Sequence, residues 1–139
     1  VPEDRGVILG IGNDLVRESR IARVHARHGE RFSHKLLMPE ERATLAGAAR
    51  AANRLAKAWA AKEAFAKAWG TGFRGLSHLD CGVLRDASGQ PCMIFSAAQA
   101  ERLQARGVQR VHLALTDQDD WVLATVVIEG GIGGGSGAA

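Results

Sequence analysis

The sequence predicts a single α+β domain. Three observations carry that expectation. An alanine-rich segment from about Ala49 to Trp69 has the composition of a long helix, closed by Gly70. A short apolar run, Val7 to Ile11, stands before a Gly-Asn-Asp cluster and reads as a strand ending near Gly12. Two β-patterned segments, 109–116 and 121–129, flank "DQDD" and read as a terminal hairpin. At 139 residues the chain can build one core but not two.

Between these landmarks the elements follow in order. Arg17 to His28 reads as a helix stopped by Gly29, with a short helix over Arg31 to Leu37. Pro39 suits the first turn of the next helix, where Glu40 and Glu41 meet the positive end of its dipole. After the long helix, strands are expected at 80–85 and 92–95 around the turn cluster "DASGQP". Ser96 and Gln99 form a capping box for a helix from Ala97 to Arg106, ended by Gly107. "WVLATVVIE" is almost continuously apolar, which suggests a strand covered on both faces, partly by another subunit. The domain is expected over 7–129, with 1–6 as an N-terminal extension and 130–139 as a flexible glycine-rich tail.

Composition narrows the function classes. No apolar run approaches the roughly 20 residues of a membrane span, and "VPEDRG" does not open a secretory signal, so the expected address is the cytoplasm. Cys81 and Cys92 match no zinc spacing and are expected as reduced thiols. Eighteen basic against fifteen acidic residues leave a net charge of +3, too small by itself to imply nucleic acid. The excess is local: 17–35 holds six Arg or Lys and three His against two Glu.

Stepping at 100° per residue, Leu55, Ala58, Trp59, Phe65, Ala66 and Trp69 share one side of the long helix, and Lys62 falls near the middle of that stripe. Glu63 and Lys67 lie one edge over, a turn apart; the plain reading is a surface ion pair beside a lysine that snorkels to water. Two further features favour a site. The helix ends in "GTG", whose bare backbone allows close approach of a ligand, and the early strand delivers Asp14 just after "GIG". A lysine on an apolar wall is tolerated beside a bound anion, and carboxylates fit where a divalent cation bridges them to it. Asp14, Lys62, Glu63, Lys67 and the Gly70–Thr71–Gly72 loop therefore fit one site for a phosphorylated ligand and Mg²⁺.

"GIGNDLVRESRI", "RHGERF", "WAAKEAFAKAWGTG" and "VVIE" occur in the order and at the spacing of the holo-[acyl-carrier-protein] synthases, and the chain resembles that family from about Val7 to Glu129. The family is the small single-repeat class of 4′-phosphopantetheinyl transferases. The resemblance implies an antiparallel sheet packed with a long central helix, assembled as a homotrimer with active sites between subunits. It implies transfer of the phosphopantetheine arm of coenzyme A to a serine of apo-acyl carrier protein in fatty acid biosynthesis, with release of adenosine 3′,5′-bisphosphate and use of Mg²⁺. By the same likeness Asp14 and Glu63 ligate the metal, contributed by different chains, and with Lys67 carry catalysis. Lys62, Lys67, the Gly70–Thr71–Gly72 loop and Lys35 would hold the coenzyme A phosphates.

Arg20, Arg23 and Arg27 lie within about 60° of one another on their helix, beside the anchoring side of Ile21, Val24 and His28. A solvated charged face and a phosphate-contacting face are both compatible with that spacing. The resemblance implies a third role, docking of an acidic helix of the carrier protein. Four positions depart from the family pattern: Lys35 for an arginine, Met38 for a capping threonine, Ala58 for an arginine, and Thr116–Asp117 for Ser-His. The alternative from another class is a non-catalytic basic module binding RNA or an acidic protein. It has no need of Asp14, Lys62 and Glu63 together, and an aromatic content of 5% argues against a base-stacking surface; no nucleic acid or membrane partner is expected.

Overall fold

The computed structural model describes residues 6–45, 47 and 49–131. Most of the predicted N-terminal extension and tail thus lies outside the described residues. The elements in chain order are β1 (Gly6–Arg17), α1 (Glu18–His28), α2 (Glu30–Leu36), α3 (Pro39–Leu45), α4 (Ala51–Trp69), β2 (Cys81–Arg85), β3 (Pro91–Phe95), α5 (Ala97–Ala105), β4 (Val108–Gln118) and β5 (Trp121–Gly131). Two antiparallel sheets result, a three-stranded one in the order β1-β5-β4 and the β2-β3 hairpin. The expected α+β class with an antiparallel sheet and a long central helix is what the chain adopts.

One face of the large sheet lies on α4. β5 alternates strictly: Val122, Ala124, Val126 and Ile128 are buried, and Leu123, Thr125 and Val127 turn the other way. The alanines of α4 let helix and sheet approach closely; Ala60, Ala61 and Ala64 are fully buried beside Leu55 and Phe65. Phe65 meets Phe95 with ring centroids 5.0 Å apart, which joins the hairpin to the same core.

Several expectations need correction. β1 does not stop at Gly12. It continues through Asn13 and Asp14 to Arg17, paired with β5 throughout, because a Gly-Asn-Asp cluster inside a ladder is held by its partner strand. Gly130 and Gly131, assigned to the flexible tail, complete β5. The capping box at α5 is half formed: Ser96 Oγ accepts from the Gln99 amide at 3.1 Å, whereas the Gln99 side chain accepts from Arg102 Nε at 2.7 Å. This chain covers one face of β5, which agrees with the expectation that another subunit supplies part of the cover. On the other, Ile11 and Leu15 are exposed at 60% and 56%, in register with Val127 and Leu123. Both cysteines are free thiols, Cys81 buried and Cys92 exposed.

Candidate active site

The site begins where β1 crosses α4. Gly10 and Gly12 face the helix, and nothing larger fits there: a Cβ at Gly12 would stand 2.6 Å from the Ala68 amide nitrogen, and one at Gly10 would stand 2.9 Å from the Ala68 carbonyl carbon. "GIG" is thus a notch that lets two backbones touch, rather than a ligand-binding turn. Asp14 follows on the same face of β1, and the close crossing delivers it to the last turns of α4. Lys67 Nζ donates to Asp14 Oδ1 at 3.1 Å and to the Asn13 carbonyl at 3.0 Å. The second Asp14 oxygen, Oδ2, is buried and has no hydrogen-bond partner.

Glu63 lies one turn before Lys67. Its carboxyl is pushed above the usual range, first by burial and then by the negative charge of Asp14, while Lys67 and Arg20 pull it back down. Two carboxylates from distant parts of one chain therefore share a small volume. This corrects the expectation that they come from different chains: a single chain brings them together. Lys67 turns to Asp14, so the simple helical pair with Glu63 is replaced by a cross-element contact.

Both acids offer hard oxygen donors, and the orphaned Oδ2 is what a cation ligand looks like without its cation. The fit is to Mg²⁺, which takes one or two carboxylates and completes its shell with water and phosphate oxygens. Among the described residues no group of three His, Cys, Asp or Glu side chains is clustered to enclose a metal.

Lys62 requires a second correction. It does not face a cleft. Its side chain is fully buried, and its three protons have three acceptors: Glu41 Oε1 at 2.7 Å, the His78 carbonyl at 2.7 Å, and the Leu36 carbonyl. Burial pulls the ammonium below its ordinary value, opposed by the charge and hydrogen bond of Glu41. Glu41 is equally enclosed: Oε1 also accepts from the Met38 amide at 2.9 Å and Oε2 from the Val83 amide at 2.9 Å. Gly82 makes room for it, since a Cβ there would lie 2.7 Å from the carboxylate. The loss of a capping threonine at Met38 is thereby offset, because Glu41 at the third helical position bonds back to the Met38 N–H.

The remaining site residues are spread more widely. Gly70 and Gly72 both turn their N–H groups to the Ala66 carbonyl, at 3.1 and 3.2 Å, so the loop first serves as a left-handed cap of α4. Thr71, between them, bonds through Oγ1 to the Gly72 carbonyl at 2.9 Å. Lys35 lines a small cavity of about 230 Å³ with His28, Arg31 and Phe32, apart from the acidic cluster. Arg20, Arg23 and Arg27 are exposed on α1, and the Arg20 guanidinium lies 5.9 Å from the Trp59 ring, at the edge of the site. His28 is exposed and does not anchor α1; buried Ile21 does. A larger cavity of about 640 Å³ opens beside the other half of α4, with Arg50, Arg54, Lys57 and Arg85 among its walls. Asp117, one of the departures, sits beside it and is drawn to Asn53 at 3.0 Å and to Arg50 and Lys57 at 3.8 Å each.

Comparison with known proteins decides the family. A sequence model of the 4′-phosphopantetheinyl transferase superfamily matches residues 10–126. The chain belongs to that superfamily. It is 44% identical over 124 residues to the holo-[acyl-carrier-protein] synthase of Neisseria meningitidis serogroup C (strain 053442), covering 88% of this chain and 99% of that one. With the corresponding protein of Laribacter hongkongensis the identity is 45% over 125 residues, with coverages of 89% and 100%. The crystal structure of the synthase from Neisseria meningitidis superposes with a TM-score of 0.84 at 43% identity, over 88% of this chain and 98% of that one. A synthase from Bacillus anthracis in complex with CoA (3′,5′-ADP) gives 0.73 at 32% identity, over 88% and 97%. The protein is therefore a phosphopantetheinyl transferase, and the non-catalytic basic module is set aside.

Two residues of the site were not singled out from sequence. Glu41 had a signal: the third helical position after Pro39 is where a carboxylate reaches back to the cap, and a lysine in a core stripe needs an acid from somewhere. His78 had none, since its place beside Glu63 depends on how the loop between α4 and β2 folds back. Burial and the Lys62 charge hold its imidazole below the usual value.

Proposed function

We propose that the cluster of Asp14, Glu63 and Lys67 is the catalytic centre for Mg²⁺-dependent transfer of 4′-phosphopantetheine from coenzyme A to a serine of apo-acyl carrier protein. The carrying observation is the β1–α4 crossing, which sets an orphaned carboxylate oxygen, a second carboxylate and a half-exposed ammonium side by side. Attack of the serine hydroxyl on the diphosphate builds negative charge on phosphate oxygens. Mg²⁺ bound by Asp14 and Glu63 would supply a Lewis acid for that charge. Lys67, 53% exposed, keeps its ammonium open to the same oxygens, and positioning with electrostatics carries most of the acceleration in phosphoryl transfer.

The assembly fits the same reading. β1 is an edge strand with apolar side chains turned outward, and such a face calls for cover. Its proposed occupants are two further copies of the chain, giving a trimer. Lys57 and Lys67 are ten residues apart on α4, about 15 Å along its axis, so the large cationic cavity and the acidic centre stand at opposite ends of one helix. That separation suits a site completed by a neighbour. Arg20, Arg23 and Arg27, exposed and reaching the edge of the site at Arg20, are the proposed landing surface for an acidic carrier helix.

The test is direct. The protein is incubated with coenzyme A, Mg²⁺ and apo-acyl carrier protein, and the carrier is weighed by mass spectrometry. One added phosphopantetheine group, abolished by EDTA, is expected; an unchanged carrier would sink the reading. Light scattering should give three times the chain mass, and a monomer at working concentration would remove the proposed assembly.

A further inference from the structure

We propose that His78 is a positioning residue for Glu63, with its imidazole Nε2–H donating to Glu63 Oε1. The inference rests on the reading of Glu63 as a metal-holding carboxylate. His78 Nε2 is buried and has no hydrogen-bond partner, and Glu63 Oε1 stands 3.9 Å away, within reach of a side-chain rotation. The ring is stacked by two neighbours, Phe73 at 3.9 Å between centroids and 19° between planes, and Trp59 at 5.5 Å and 22°. The backbone beneath it is pinned, because the His78 carbonyl accepts from Lys62 Nζ at 2.7 Å. The fully enclosed Glu41–Lys62 pair thus reaches the site through a single peptide group.

The chemistry suits a carboxylate that must hold a cation. Carboxylate ligands are normally fixed by an outer hydrogen bond, and loss of that partner costs roughly 10- to 100-fold in metal affinity. A neutral imidazole with its proton on Nε2 offers one donor and adds no positive charge to repel the ion. The stacked rings leave that N–H little choice of direction.

The experiment compares wild type, His78→Phe, His78→Gln and Glu63→Gln. Free Mn²⁺ is measured by electron paramagnetic resonance as the ion is titrated into each protein in the presence of coenzyme A. His78→Phe keeps a flat ring for the stack and removes the donor; it should raise the Mn²⁺ dissociation constant about 10-fold. His78→Gln, with an amide N–H near the Nε2 position, should recover part of that loss. Unchanged Mn²⁺ affinity in His78→Phe, with affinity lost in Glu63→Gln, would overturn the proposal and leave Glu63 as a ligand. Full affinity in Glu63→Gln would overturn the ligand reading and the proposal with it. A measurement on the unmutated protein guards against a folding defect: the ¹⁵N imidazole shifts of His78 should report the proton on Nε2, and a proton on Nδ1 instead would overturn the hydrogen bond.

Discussion

Lys62 and Lys67 stand five residues apart on α4, and each faces a carboxylate, Glu41 or Asp14. Lys62 is sealed, with every proton committed inside the chain. Lys67 is half exposed, and its acid is only partly satisfied, for the buried Oδ2 of Asp14 has no hydrogen-bond partner. A lysine and a carboxylate thus build a buried fastening in one place and, five residues on, the half-open pair that we propose as the reactive centre. What separates them is satisfaction: a complete set of partners gives structure, and an incomplete one gives a place for something to bind.

The largest expected effect is on the sealed end. Replacing Lys62 by Met leaves the Glu41 charge buried without its partner, which should cost about 3–5 kcal/mol of unfolding free energy in urea melts. The double variant Lys62→Met, Glu41→Gln, which removes the buried charge and keeps an acceptor oxygen for one of the Met38 and Val83 amides, should regain part of it. A single variant as stable as wild type would erase the contrast between the two lysines.

Next comes the open end. Lys67→Met should lower kcat about 100-fold or more while unfolding free energy moves by about 1 kcal/mol at most, since an exposed ion pair adds little to stability. Rates of modified-carrier formation and a urea melt of the same sample check both halves. A large stability loss with intact turnover would reverse the assignment.

The smallest effect uses a thiol at the edge of the sealed network. Cys81 is fully buried and its thiol is pushed up to about 12, chiefly by burial. Because the thiolate is the reactive form, iodoacetamide at pH 8 should label exposed Cys92 and leave Cys81 untouched until the protein unfolds. Prompt labelling of both in native protein would mean that the region around Lys62 opens readily.

The sequence was most informative where local chemistry decides the outcome. The helix over 51–69 follows from its alanines and Gly70, and the terminal hairpin from alternation around its turn. Long-range contacts were harder to read. Nothing local distinguishes a glycine that bends the chain from one that lets another backbone come close, so the sequence reads Gly12 as the end of a strand it lies within. The position of Lys62 in the core stripe is legible in the helical period, but its partner Glu41 stands twenty-one residues away in another helix, and the stripe alone does not tell that carboxylate from a bound phosphate. Asp14 and Glu63 were paired from motifs; their union within one chain depends on the crossing of β1 and α4, which no spacing along the sequence reveals.

That crossing also limits how the protein can change. Where two main chains touch with no side chain between them, there is nothing to trim or enlarge, and the acid two residues onward is aimed by the path of the strand itself. A variant that needs this carboxylate in another place cannot reach it with a larger neighbour at Gly10 or Gly12; it would have to move the whole helix.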